Sequence, residues 1–257
     1  MKRFVTILLS LFVYFNSYSQ DTTYDISHWK AKSLPTDKDT LLKYNWANIR
    51  WYLHKEGKKV YAKSYEGYSL ERKLPFEFKA LTRIEEFEFG GEISYIKADS
   101  GYLVSFYQGE FGGSLYWFDK TGKTRIKIGY AMIIDFITYN NKIYALDGLG
   151  HMGMSYGNII ELRKENGEWK QIPYVKLPEA PRAFTLDEQN RFIVATSNKI
   201  LLIDSNKRID TLLENSSWTL LNPSSVVVVG NHLYVGMQHG VHTYDFKRQR
   251  EKWLTKD

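Results

Sequence analysis

The sequence predicts an all-β chain, a β-propeller of about five four-stranded blades, and three observations carry that reading. A unit of turn, strand, loop, strand, turn and strand recurs four times, starting at Gly101, Asn141, Asn190 and Asn231. The matching apolar positions Leu103, Ile143, Phe192 and Leu233 are spaced by 40, 49 and 41 residues, the period of a propeller blade. Between them lie β-branched and aromatic residues, with 19 tyrosines in the chain, and no helical apolar period separates the strands.

In chain order, residues 1–19 open with Lys2 and Arg3, continue through an apolar run from Phe4 to Phe15, and end in Ser17-Tyr18-Ser19. This is the layout of a secretory signal peptide, and the run is short for a membrane span. Export to the periplasm or beyond the cell is therefore expected, with no membrane span after cleavage. The chain has no cysteine, so it forms no disulfide and lacks the residue that bacterial lipid anchoring requires. Its net charge of +6 includes Lys2 and Arg3. The remaining excess is mild and spread out, and the densest basic group, DFKRQREKW at 245–253, is interrupted by acids and reads as a solvated strand face. Nucleic acid is not an expected partner.

Residues 20–45 match no blade and form an N-terminal extension that could wrap the ring, add a closing strand or stay partly unstructured. The propeller would then occupy residues 46–257. Each repeat unit is preceded by a short apolar run, EISYIKA from Glu92, MIIDFITY from Met132, RAFTL from Arg182 and SVVVVG from Ser225, which brings each blade to four strands. A weaker copy begins at Asn48, with Val60 placed 43 residues before Leu103. A two-sheet sandwich is the alternative, and it leaves so regular a period unexplained.

The segments GEFGG at 109–113, DGLGH at 147–151, APRA at 180–183, NPSS at 222–225 and VGMQHGV at 235–241 extend the pattern into the loops. In order and spacing they resemble a group of exported bacterial β-propeller proteins of about this size, over roughly residues 90–257. The resemblance implies the fold and an extracytoplasmic location, and it implies no particular ligand or activity.

One stretch, GLGHMGMSYGN at 148–158, contains the letters of a dinucleotide fingerprint, G-x-G-x-x-G. That fingerprint needs a strand before it and a helix opening at its last glycine. The strand is present in KIYALD, but the following residues read as strand and turn, so no helix N-terminus is available to a pyrophosphate. The stretch is expected instead to be an enlarged loop between the second and third strands of its blade. Leu103 and Leu115 are 12 residues apart and Ile143 and Ile159 are 16, against 8 in the two later units. Enlarged loops on one face of a repeat array mark a candidate binding side.

That face is expected to present Glu110, Phe111, His151, Met152 and His239 from the loops, and Arg182, Asn222 and Ser224 from the blade connections, with Tyr130 beside them. Met154 and Met237 would help to wall an apolar recess with a few polar groups, the usual make-up of a small-ligand site. Arg182 would face the central channel and suits a carboxylate or phosphate. Glu110, His151 and His239 could make a histidine–carboxylate set, but their sequence spacing is not that of metal ligands, so neither metal nor cofactor is expected. His239 and His242, three apart on a strand, would point to opposite faces. Asp119, Asp204 and Asp245 end third strands and would serve turns on the opposite face; Asp147 is expected to support a turn. Trp117, Trp169, Trp218 and Trp253 read as wedges between blades in preference to sugar-stacking platforms. No G-x-S-x-G, P-loop, H-E-x-x-H or calcium loop occurs. The expected function is an exported, monomeric, non-catalytic binding module for a small polar ligand or an extracytoplasmic protein. The alternative is a hydrolase or lyase acting on a glycan or other polar substrate, with Glu110 and a histidine as acid and base.

Overall fold

The computed structural model describes residues 22–47, 49–66 and 72–256. The segment read as a signal peptide, and part of the connection after the second strand of the weak first repeat, lie outside the described residues. The N-terminal extension holds two short strands, β1 (Thr23–Asp25) and β2 (Lys30–Lys32), and helix α1 (Lys38–Trp46). The first blade contains β3 (Ile49–Glu56) and β4 (Lys59–Glu66), and helix α2 (Arg83–Glu88) precedes the second. The second blade runs β5 (Glu92–Ala98), β6 (Gly101–Tyr107), β7 (Gly113–Asp119), β8 (Arg125–Tyr130). The third runs β9 (Ile133–Tyr139), β10 (Lys142–His151), β11 (Met154–Glu165), β12 (Glu168–Leu177). The fourth runs β13 (Pro181–Leu186), β14 (Phe192–Thr196), β15 (Lys199–Ile203), β16 (Ile209–Glu214). After helix α3 (Trp218–Leu221), the fifth runs β17 (Ser225–Val229), β18 (His232–Met237), β19 (Gly240–Asp245), β20 (Arg250–Thr255).

Each blade is an antiparallel sheet with β3, β5, β9, β13 or β17 as its inner strand, and the five sheets form the expected propeller. The extension modifies the two blades at the ring's ends. β1 pairs with β4, so the first blade has three strands; β2 pairs with β20, so the fifth has five. Residues 23–32 thus form a strap hydrogen-bonded to the first and last blades. The crossing between them is a tight turn at Ile26–His28, held by the Asp25 carboxylate accepting the Ser27 N–H at 2.9 Å. A ring built from an open chain must bind its ends together, and the two short strands also cover three residues of each outer edge, at Tyr61–Lys63 and Trp253–Thr255.

The core lies between blades. Buried residues of adjacent blades merge into one cluster at each junction from the second blade round to the first. Blades packed on both faces explain why β14 reads FIVAT and is buried at every position. On the side of the second blade toward the first, chain takes the place of strands. Phe76, Phe78 and Phe89 from the connecting segment pack on Phe106 and Phe118 with ring centroids 4.8–5.7 Å apart where they touch most closely. Turns on the lower face use aspartates as expected: Asp119, Asp204 and Asp245 each accept two or more backbone N–H groups from the next few residues.

Trp218 and Trp253 are wholly buried wedges in the junction of the fourth and fifth blades, whereas Trp117 and Trp169 are only half-buried. Trp218→Ala is expected to destabilise the chain by about 3–5 kcal/mol, the usual consequence of deleting a buried large aromatic. Urea unfolding followed by circular dichroism reads this; a loss under about 1 kcal/mol would mean that the junction collapses around the cavity.

Candidate functional site

The starts of the inner strands and the β6–β7, β10–β11, β14–β15 and β18–β19 connections share one face, called here the upper face. Where the inner strands begin, the central channel opens into a recess of about 130 Å³. Three guanidinium groups line it. Arg50 is on β3 and Arg182 on β13, each at or near the first residue of its inner strand, and Arg72 enters from the connection after the first blade. Arg72 acts as a strut: its Nη1 donates to Ser94 Oγ at 2.6 Å and to Asp135 Oδ1 at 3.0 Å, and Nη2 reaches the Tyr52 hydroxyl at 3.5 Å. It therefore ties the first three blades together across the channel. Burial opposes the charge on Arg72, but Asp135 and Tyr52 together outweigh it and the pKa rises.

Arg182 differs. Its Nε donates to Ser197 Oγ at 3.3 Å, and it makes no ion pair among the described residues. Surrounding protein lowers its pKa, a tendency the nearby Arg50 adds to and Tyr107 and Glu92 oppose. Glu92, the first residue of β5, retains solvent contact, yet the neighbouring protein still pushes its carboxyl up, against the pull of Arg72, Arg50 and Arg182. Tyr52, Tyr65 and Tyr107 complete the wall, and burial raises each phenol. Among the described residues, three cations thus face two carboxylates, Glu92 and Asp135, and Asp135 is engaged by Arg72. The electrostatic balance favours an anion.

The expected site residues divide into three groups. Arg182 and Ser224 line the channel mouth. Ser224 is also structural, its Oγ donating to the Trp51 and Gly236 carbonyls at 3.0 and 3.1 Å. Glu110 and His151 meet across the second and third blades, with Oε2 and Nε2 2.5 Å apart; the contact lacks in-line hydrogen-bond geometry and both side chains are well exposed. Phe111 and Met152, in the turns beside them, are 73% and 89% exposed on the same face. Met154 and Tyr130 are exposed as well.

Asn222 and His239 stand apart from both. Asn222, at φ 47°, closes α3 and donates its side-chain amide to Gln238. His239 stacks on Tyr44 of α1 with centroids 4.2 Å apart, and burial, then Lys43 and Lys32, lower its pKa. The three-member histidine–carboxylate set does not assemble, and no group of three or more metal-ligating side chains occurs among the described residues. Met237, expected to wall the pocket, is instead fully buried between blades, because β18 extends through it. The stretch at 148–158 is not the expected loop but the paired end of a long β10–β11 hairpin, with Asp147 opposite Asn158, Gly148 opposite Gly157 and His151 opposite Met154. Its turn is Met152-Gly153, both left-handed at φ 43° and 86°. Asp147 secures its base, accepting from Met132 N–H at 2.8 Å and from the Asn158 amide at 3.1 Å.

Sequence reading missed Arg50, Glu92 and Arg72. Arg50 and Glu92 begin inner strands, as Arg182 does, so their place in the repeat carries the same signal. Arg72 lies on an irregular connection and carries no such signal. Gln238 was also missed: it is 4% exposed and joins α1, α3 and the fifth blade through bonds to Asn45, Ala47, Leu221 and Asn222.

No protein-family model matches the chain, and no curated protein matches it in sequence. Solved structures match in fold. Virginiamycin B lyase from Staphylococcus aureus aligns at 13% identity and TM-score 0.45, over 66% of this chain and 56% of that one. TolB from Acinetobacter baumannii aligns at 15% identity and TM-score 0.44, over 82% and 52%. A gluconolactonase from Xanthomonas campestris aligns at 11% identity and TM-score 0.41, over 63% and 55%. The chain spans about half the length of these structures, and the likeness is one of fold alone. No helix among the described residues is long and apolar enough to cross a membrane.

Proposed function

We propose that this chain is an exported, non-catalytic binding module that recognises a small polar molecule bearing a carboxylate or phosphate at the upper mouth of its channel. The observation that carries the reading is the convergence of Arg50, Arg72 and Arg182 on one recess, with Arg182 in no ion pair among the described residues and Glu92 the carboxylate whose field reaches it. The recess admits an anionic head and little more. The body of the ligand would lie outward, across Phe111 and Met152, which rigid blades hold in place. The basic, apolar start of the sequence supports export to the periplasm or the cell exterior. The hydrolase or lyase alternative would draw on Glu110 and His151, but this exposed pair lies beside no nucleophile motif and no third ligand.

Isothermal titration of purified chain with citrate, glucuronate and inorganic phosphate, alongside thermal shift, tests the reading. At least one is expected to bind, and Arg182→Ala is expected to weaken it by roughly 10- to 100-fold, since a lost charged hydrogen bond is worth about 1.5–3 kcal/mol. If none of these anions binds, or Arg182→Ala leaves the affinity unchanged, the anion site is wrong and the upper face is better read as a surface for a protein partner.

A further inference from the structure

A second cavity lies at the opposite end of the seam between the first and fifth blades, under the strap. Its volume is about 590 Å³, the size of a small-ligand pocket. Its origin is geometric. The fifth blade has five strands and the first has three, and β1, the outermost of those three, is only three residues long. The wedge between two unequal blades is filled near the channel, where Trp51, Leu53, Ala62 and Val241 pack together. Farther out nothing fills it, and Trp29 and Tyr234 remain as apolar wall.

The charges around this wedge do not balance. Asp25 is paired with Lys59 at 3.3 Å, and Asp245 with Arg248 at 3.0 Å and His232 at 3.5 Å. Both carboxylates of the lining are thereby occupied. Lys58, Arg250 and Lys252 also line the cavity, and none has a carboxylate partner among the described residues. Register places two of them together: Lys252 lies opposite Thr243 and Arg250 opposite Asp245, so they stand two residues apart on one face of β20. Two exposed cations on one strand face repel only weakly in water, and an anion held between them would turn that repulsion into charge-assisted hydrogen bonds.

We infer that this seam cavity binds an amphipathic organic anion, an apolar or aromatic body against Trp29 and Tyr234 with a carboxylate, sulfonate or phosphate held by Arg250, Lys252 and Lys58. The site is separate from the channel mouth and does not depend on the anion reading there. Neither half of the lining suffices alone: an uncharged body leaves the cations unpaired, and a bare inorganic ion leaves the cavity unfilled.

Fluorescence titration with 8-anilinonaphthalene-1-sulfonate and its uncharged relative N-phenyl-1-naphthylamine separates these contributions. The sulfonate is expected to bind saturably at one site, and roughly ten-fold more tightly than the neutral probe. The exposed double variant Arg250→Gln/Lys252→Gln should weaken the sulfonate by roughly ten-fold and leave the neutral probe little changed. Ala31→Trp, which fills the cavity from the strap without altering charge, should abolish both. Dodecanoate competing with the sulfonate would identify an alkyl carboxylate as a natural type of occupant, and failure to compete would restrict the site to aromatic anions. Absence of saturable binding, binding that survives Ala31→Trp, or a sulfonate affinity unchanged in the charge variant would each overturn the assignment.

Discussion

A chain that begins at Ser33, and so lacks the strap, is expected to melt roughly 10 °C lower than the intact one, given the size scaling of melting shifts. The truncation removes β1 and β2 with their ladder bonds to β4 and β20. It also removes Ile26, 4% exposed, and Trp29, which packs edge-on against Trp51 at 4.7 Å. Burial of Ile26 alone is worth roughly 1.5–3 kcal/mol, and the remaining contacts bring the loss to roughly 4 kcal/mol. For a domain of this size, such a loss corresponds to that drop in melting temperature. The truncation also bares Tyr61–Lys63 of β4 and Trp253–Thr255 of β20, so size-exclusion chromatography should show more association than for the intact chain. A melting point within about 2 °C of the intact chain would mean that the ring closes by blade packing alone.

The strap also carries a pH dependence. Asp25 has its pKa held down to about 2, first by the Ser27 N–H and further by Lys59. A depressed carboxyl pKa stabilises the fold above the ordinary aspartate range and loses that contribution as pH falls through it toward 2. Asp25→Asn should therefore flatten the pH dependence of the difference between the strapped and truncated chains, shrinking that difference near pH 7 and changing it little at about pH 2, as thermal melts across pH would show.

Whether a feature was legible in the sequence depends on what the feature itself rests on. The blades could be read because they repeat the same local chemistry: a polar turn, an apolar second strand flanked by other blades and, in the second, fourth and fifth blades, an aspartate at the lower turn. For the extension, wrapping the ring or adding a closing strand were among the open readings, but its pairings could not be read, because β1 and β2 are three residues each and their partners lie about 40 and more than 220 positions away. Sequence order alone cannot reveal such pairings. The short helices were missed for a related reason: α1 buries only Leu41 and so shows no apolar stripe. At the candidate site, Arg182 and Ser224 were legible from their place at the start of inner strands. Asn222 and His239 lie apart from the recess, and both occupy left-handed positions, where loop-tip residues often serve the backbone. The split of Glu110 and His151 from His239 is a matter of which blades adjoin, which the repeat order does supply: the first two belong to neighbouring blades and the third does not.

The glycines in and just after the apparent nucleotide fingerprint furnish the second large effect, and their physical roles differ. Neither Gly148 nor Gly157 is left-handed; each is glycine because Pro181 of the next blade rests against it. A Cβ at Gly148 would lie 2.5 Å from Pro181 Cδ and 2.7 Å from the Tyr156 carbonyl oxygen, and one at Gly157 would lie 2.5 Å from the same Cδ and 2.7 Å from the Glu179 carbonyl oxygen. Backbone and a proline ring cannot turn aside as a flexible side chain would. Gly148→Ala and Gly157→Ala should each destabilise by about 2–3 kcal/mol, the range of overpacking in a tight interior. Gly153 at the hairpin turn has φ 86° and open space around it, so Gly153→Ala should cost about 1 kcal/mol through backbone strain alone. Replacing Pro181 with alanine beside Gly157→Ala should recover part of the loss, and the coupling measured by that double-mutant cycle is the decisive quantity. Additive losses would mean that the ring does not press on the hairpin. Because Arg182 follows Pro181 directly, the same substitutions should also weaken anion binding at the channel mouth, more than Gly153→Ala does. The glycines that look like a phosphate cradle would then act on a ligand only by setting where the next blade, and its arginine, begins.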